Sequence, residues 1–338
     1  MFLHNNQYHI LYERATKDLQ QFLDDEESDR YFSSPRQIIL LLSEFSVLSS
    51  ALAFLHDKVE HSNTRYICCH MDLKPDNIFV FTDTNDHIKF KIADLGISKL
   101  RSRPLERDRP GFRKSHNVYE DEIRYLPTTM NTSASRGPGT FQAPEMYKHE
   151  KVGRASDVWS LGCLLMVFVI RMFGGVDGYQ EFENARHVRE RYSNDYFHFD
   201  GKVKPEVTER LDKLPESYEN KLERLGKDCE KSVFEDLKQL IKMCLKEDAK
   251  SRIKSADFHR KLKEIVKYMK QALWKTRLDV LKGGKSLNFS NDVEATSKIR
   301  FSSERINTLG LSTYRACFDD LVKMEIIEGQ NAARIRCE

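Results

Sequence analysis

From Ile38 to His56 the chain is dense in apolar residues, with Leu41, Phe45, Leu48, Leu52 and Leu55 recurring at three- and four-residue intervals. That spacing predicts an amphipathic helix with a wide buried face. Before it, Tyr8–Tyr12 reads as a short strand and Asp18–Leu23 as the start of a helix entered through a turn. After it, the polar stretch Asp57–Thr64 is expected to be a loop. Two short apolar strands follow at Tyr66–Cys69 and Ile78–Phe81, then the turn residues T-D-T-N-D, then a third strand at Lys89–Ala93. Over Lys99–Arg136, Arg, Pro, Ser and Asn take over and periodicity disappears, which predicts a long loop of the kind that is usually functional or disordered. Helical patterns return at Leu161–Ile170, Val233–Leu245 and Ala256–Leu273. Beyond Lys285 the chain is polar and irregular except for a helical stretch around Tyr314–Met324.

The apolar share, 40% of 338 residues, can fill a core. Lys and Arg (55) nearly balance Asp and Glu (52), leaving a net charge of +3, so no global field marks a nucleic-acid binder. The 7 cysteines contain no C-x-x-C pair, which argues against a zinc site or disulfide framework and for a reducing cytosol or nucleus. The start, M-F-L-H-N-N-Q-Y, has no basic region followed by an apolar run, so no signal peptide is read there. Leu161–Ile170, the most apolar stretch, is too short to cross a bilayer and suits a buried helix, so no membrane partner is expected.

Candidate chemistry concentrates at His70–Asn77, H-M-D-L-K-P-D-N, between two predicted strands. Phosphoryl transfer needs a carboxylate near the attacking hydroxyl, a cation on the moving phosphate and a metal ligand nearby. Asp72, Lys74 and Asn77 supply those three within one extended loop. An isolated H-x-D is commonplace among surface residues; the full string is far more specific. Asp94-Leu95-Gly96 follows at the end of the third strand, where a carboxylate can hold Mg²⁺ against phosphate oxygens. Alone it would be an ordinary strand-exit turn. It is followed by G-T-F-Q-A-P-E (Gly139–Glu145), S-D-V-W-S-L-G (Ser156–Gly162) and Arg252.

In this order the segments resemble the eukaryotic protein kinase family of serine/threonine type, over roughly residues 8–265. The resemblance implies an α+β, mainly α fold: a kinase-like C-lobe with only the last N-lobe strand and the hinge before it. The kinase domain would span 1–270, with the hinge near 12–18 and the C-lobe over 18–270. A C-terminal extension, 271–338, receives no fold. By resemblance, Asp72 orients the substrate hydroxyl and accepts its proton, Lys74 contacts the γ-phosphate of ATP, and Asn77 and Asp94 hold Mg²⁺. The backbone near Glu13 and Ala15 would meet the adenine. His70 and Asp157 would brace the loop, Glu145 and Arg252 would pair, and Thr140 would lie beside Asp72 and Lys74. The implied partners are ATP and a protein substrate.

Departures from the family pattern set the alternative. Met71 stands where the family carries an Arg that contacts a phosphorylated activation segment, and a thioether cannot pair with phosphate. The segment from Asp94 to Glu145 is long and mixed in charge, with Arg101, Arg103, Arg107, Arg109, Arg113 and Lys114 offset by Glu106, Asp108 and Glu120-Asp121-Glu122. Most such segments are simply solvated; docking is the sharper reading. Neither G-x-G-x-x-G nor a V-A-I-K-like lysine occurs. A catalytically inactive kinase-like scaffold is therefore the second expectation, and metal-assisted hydrolysis by the same aspartates a distant third.

Overall fold

The computed structural model describes residues 2–4, 7–9, 12–61, 64–84, 86–104, 123–124, 139–147, 151–187, 194–214 and 227–282. The chain divides into Met1–Thr276 and Arg277–Glu338, and the fold below is that of the first unit. The helix expected at Tyr314–Met324 lies outside the described residues.

Strands β1 (Phe2–His4) and β2 (Gln7–His9) form an antiparallel hairpin, and by Tyr12 the chain has left it. Strand β3 (Lys17–Asp18) runs into helix α1 (Leu19–Asp24) through a capping box: Asp18 Oδ1 accepts the Gln21 N–H at 2.8 Å, and Gln21 Oε1 accepts the Asp18 N–H at 3.2 Å. A 3₁₀ turn, Glu26–Phe32, leads to helix α2 (Pro35–Asp57), capped by Ser34 with Pro35 in its first turn. The predicted face of α2 is buried from Ile38 through Leu52, with Leu55 half-buried.

The polar stretch after α2 is not a loop. Strand β4 (Val59–His61) turns back on β5 (Thr64–Cys69), and β8 (Lys99–Pro104) pairs with the other edge of β5, Thr64 opposite Pro104 and Cys69 opposite Lys99. Ladder hydrogen bonds join backbones and need no apolar alternation, which is why neither β4 nor β8 stands out as a strand in the sequence. Strands β6 (Ile78–Thr82) and β7 (Ile88–Ile92) form a second hairpin, with β3 on the free side of β6. Strand β9 (Ile123–Arg124), also inside the segment expected to be a loop, pairs with β10 (Lys151–Val152), and the one-turn helix α3 (Pro144–Tyr147) lies between them in sequence.

Helix α4 (Arg154–Arg186) extends the predicted Leu161–Ile170 in both directions and bends at Gly175, where φ is 71°. By length and hydropathy α2 and α4 could each cross a bilayer, but 89% of the α4 window and 61% of the α2 window is packed inside the fold, as in core helices. Phe168 on α4 is the aromatic hub: Phe45 of α2 (5.3 Å between ring centroids), Phe90 of β7 (5.7 Å) and Phe32 (6.2 Å) surround it. Each such pair adds about 0.5–1.5 kcal/mol beyond burial, so the floor beneath the β6–β7 hairpin is stiff. The hairpin of β11 (His198–Phe199) and β12 (Lys202–Val203), then helices α5 (Pro205–Asp212), α6 (Lys227–Cys244) and α7 (Ser255–Lys282), complete the described chain.

Helices α4 and α6 meet at Gly162. A Cβ there would lie 2.3 Å from Cys244 Cβ, closer than any real contact. Gly162→Ala is expected to cost about 1–3 kcal/mol by overpacking, read as a lower Tm; an unchanged melting curve would show that the two helices can separate freely.

Candidate active site

Strand register assembles the site. Ile78 pairs with Ile92, which sets Asn77 opposite Ala93 and brings Asp94 out beside the loop that joins β5 to β6. Ala93 is fastened from both sides: its N–H donates to the Asn77 carbonyl (2.9 Å), and its carbonyl accepts from His70 Nε2 (2.8 Å). With Nε2 donating, His70 Nδ1 is the acceptor for the Asp72 N–H at 3.3 Å. Asn77 directs its Nδ2 at Asp72, donating to the carbonyl (2.7 Å) and to carboxylate Oδ2 (3.0 Å). Its Oδ1 therefore points elsewhere as an oxygen donor. Lys74 Nζ stands 3.8 Å from Asp72 Oδ2 and 3.9 Å from Asp76 Oδ2. Asp72, Lys74 and Asn77 are thus brought together, with Asp94 one residue beyond the pinned Ala93.

The loop rests on Asp157, at the start of α4. Its Oδ2 accepts the His70 N–H and its Oδ1 the Met71 N–H, both at 2.8 Å. The expected brace between His70 and Asp157 therefore runs through the His70 backbone. Met71 is buried at φ 73°, a left-handed conformation that side chains other than glycine rarely adopt, and its bond to Asp157 holds it there. Asp94 also has a positive φ, 57°, which aspartate tolerates comparatively well. Its Oδ1 accepts the Gly96 N–H at 3.1 Å, and a Cβ at Gly96 would meet that oxygen at 2.9 Å. Glycine two residues on is what leaves the exposed Asp94 carboxylate in place.

The expected ion pair is present and buried. Arg252 Nη1 and Nη2 bind Glu145 Oε1 and Oε2 at 2.6 and 2.8 Å, and Ser156 Oγ adds a bond to Oε1 at 2.8 Å. Thr140 is a correction. Its hydroxyl donates to Asp195 Oδ2 (2.6 Å), not toward Asp72 and Lys74. The sequence gave no sign of this, because Asp195 comes from a distant segment with no periodic pattern.

Glu13 and the half-buried Ala15 lie in the extended segment leading to β3, which is tied to β6 by the Thr16 N–H donating to the Val80 carbonyl (2.9 Å). The Glu13 side chain turns to Lys91 (2.8 Å), whose ammonium holds its carboxyl below the usual carboxylate range. Phe79, absent from the sequence candidates, stands on β6 opposite Asp18 and Lys91 and is 42% exposed although Ile78 and Val80 beside it are buried. The alternation I-F-V could have revealed it: with Ile78 and Val80 in the core, the ring between them must face out.

Asn77 Oδ1 and the Asp94 carboxylate are hard oxygen donors, and the described residues hold no group of three or more His, Cys, Asp or Glu side chains that could bind a metal. That donor set fits Mg²⁺, which keeps several waters and takes one or two carboxylates plus phosphate oxygens.

The family model of the protein kinase domain matches residues 1–266. The serine/threonine-protein kinase ksg1 of Schizosaccharomyces pombe is 28% identical over 139 residues, 40% of this chain and 21% of that protein. The serine/threonine-protein kinase VIK of Arabidopsis thaliana is 26% identical over 144 residues, 42% of this chain and 26% of its own length. A probable serine/threonine-protein kinase of Dictyostelium discoideum is 31% identical over 126 residues, 37% of this chain and 25% of its own. The match thus spans well under half the length of each relative.

Proposed function

The chain belongs to the eukaryotic serine/threonine protein kinase family, and from that premise we propose that it transfers the γ-phosphate of ATP to a serine or threonine hydroxyl of a protein. The observation that carries this reading is the convergence of Asp72, Lys74 and Asn77 on one loop, with Asp94 pinned beside it through Ala93. Asp72 orients the hydroxyl and takes its proton as the oxygen bonds to the γ-phosphorus and the bond to the β-phosphate oxygen breaks, releasing ADP. Lys74 meets the γ-phosphate. When bound, Mg²⁺ on Asn77 and Asp94 neutralises charge on the phosphate oxygens. The backbone near Glu13 and Ala15 bonds the adenine edge, and the exposed Phe79 ring forms its floor. Buried free thiols at Cys68, Cys69, Cys163, Cys229 and Cys244 support a reducing compartment, cytosol or nucleus.

One observation favours the second reading, a scaffold. Tyr12, Phe79, Leu95 and Ile97 are exposed apolar residues around the hinge and site. They support a covering lobe carrying the Gly-rich loop and lysine that the present sequence lacks, or else a partner in its place. Calorimetry with ATP tests the nucleotide half of the proposal. Weak binding that strengthens with Mg²⁺ is expected, with the Mg²⁺ dependence lost in Asp94→Ala. Binding indifferent to that substitution would contradict the metal role of Asp94.

A further inference from the structure

His56, in the last turn of α2, Asp157 at the start of α4 and Ser255 at the start of α7 are each at most 2% exposed. The His56 ring bridges the other two: Nε2 lies 2.9 Å from Asp157 Oδ2, and Nδ1 lies 2.9 Å from Ser255 Oγ. A carboxylate can only accept, so Nε2 carries the hydrogen; in the neutral imidazole Nδ1 is then the acceptor and Ser255 the donor. The serine hydroxyl thereby selects the tautomer that can bond Asp157. Asp157 Oδ2 shares this bond with the His70 N–H, while Oδ1 holds the left-handed Met71. Without His56 the buried carboxylate keeps only two backbone donors and is free to pivot. Its pivot would release Met71, and Asp72 is the next residue.

We propose that His56 and Ser255 are positioning residues for the catalytic loop, acting through Asp157 as a relay from the start of α7. The consequence for rate rests on the kinase reading; the geometry of the relay does not.

Amide hydrogen exchange over His70–Asp72 in the full chain reads the relay directly. His56→Leu is expected to speed exchange there on the order of tenfold or more, the effect of losing a bond to a charged group, while the interior of α4 keeps its protection. His56→Gln, which can place an amide N–H where Nε2 points, should restore the slow exchange. Ser255→Ala should raise it to an intermediate value. Where transfer is measured, His56→Leu should lower kcat on the order of 100-fold, the effect of a small misplacement of a reacting group, with KM for ATP unchanged. Wild-type exchange at His70–Asp72 in His56→Leu would overturn the relay, as would a folded His56→Gln that exchanges no more slowly than the leucine variant. If His56→Leu loses protection throughout α4, Ser255→Ala decides: unchanged local exchange there overturns it. Altered exchange with unaltered kcat refutes the positioning role and leaves the kinase reading intact. Altered exchange in a wild-type protein that transfers nothing upholds the relay and refutes that reading.

Discussion

Asp72→Asn is expected to lower phosphoryl transfer by about 10²–10⁴-fold, the range for loss of a positioned general base, with ATP affinity unchanged. The carboxylate touches the hydroxyl of the substrate and not the adenine, so the loss should fall on kcat. Asparagine also preserves the shape of the side chain beside Asn77 Nδ2 and Lys74 Nζ, now 3.0 and 3.8 Å from Asp72 Oδ2. The comparison belongs in a polypeptide that carries a Gly-rich loop and strand lysine ahead of Phe2, because in-line positioning of the phosphate can account for roughly 7–11 kcal/mol of a barrier. Single-turnover rates and calorimetry measure the two quantities separately. Equal losses of affinity and rate would instead mark Asp72 as a binding residue.

Arg252→Ala should be the most destabilising single change, at about 3–5 kcal/mol, the usual result of stripping one partner from a buried ion pair. The guanidinium is fully buried and, besides Glu145, bonds the carbonyls of Lys246 (2.7 Å), Ala155 (3.0 Å) and Glu247 (3.2 Å). Its removal would orphan three carbonyls and leave the Glu145 carboxylate with Ser156 as its remaining printed donor. Replacing Glu145 and Arg252 together with apolar residues of similar volume should recover part of the loss, because no lone charge then remains buried. Urea unfolding of the three proteins checks both expectations; a loss below about 1 kcal/mol for Arg252→Ala would contradict the first.

The core and the catalytic loop were legible in the sequence for different physical reasons. Helices α2 and α4 announce themselves because burial imposes a period, and Leu41, Phe45, Leu48 and Leu52 obey it. The loop from His70 to Asn77 is legible because its chemistry needs particular side chains in order. What the pattern hides is backbone pairing and long-range polar contact. Strands β4 and β8 bind β5 through peptide groups, which every residue carries. The Thr140–Asp195 bond joins segments with no shared periodicity, and the left-handed Met71 is imposed by Asp157, far away in the chain. His56 looked like the end of a helix; only the folded chain brings it between Asp157 and Ser255.

The central claim, that this site transfers phosphate, is tested most directly by incorporation of radiolabelled γ-phosphate into a broad library of serine and threonine peptides. Three proteins suffice: the chain alone, the chain joined to a lobe carrying a Gly-rich loop and lysine, and that joined protein with Asp72→Asn. Expected are little or no label with the chain alone, label on serine or threonine with the joined protein, and none with the Asp72→Asn control. A joined protein that is folded and binds ATP yet labels no peptide would contradict the kinase reading and leave the scaffold in its place.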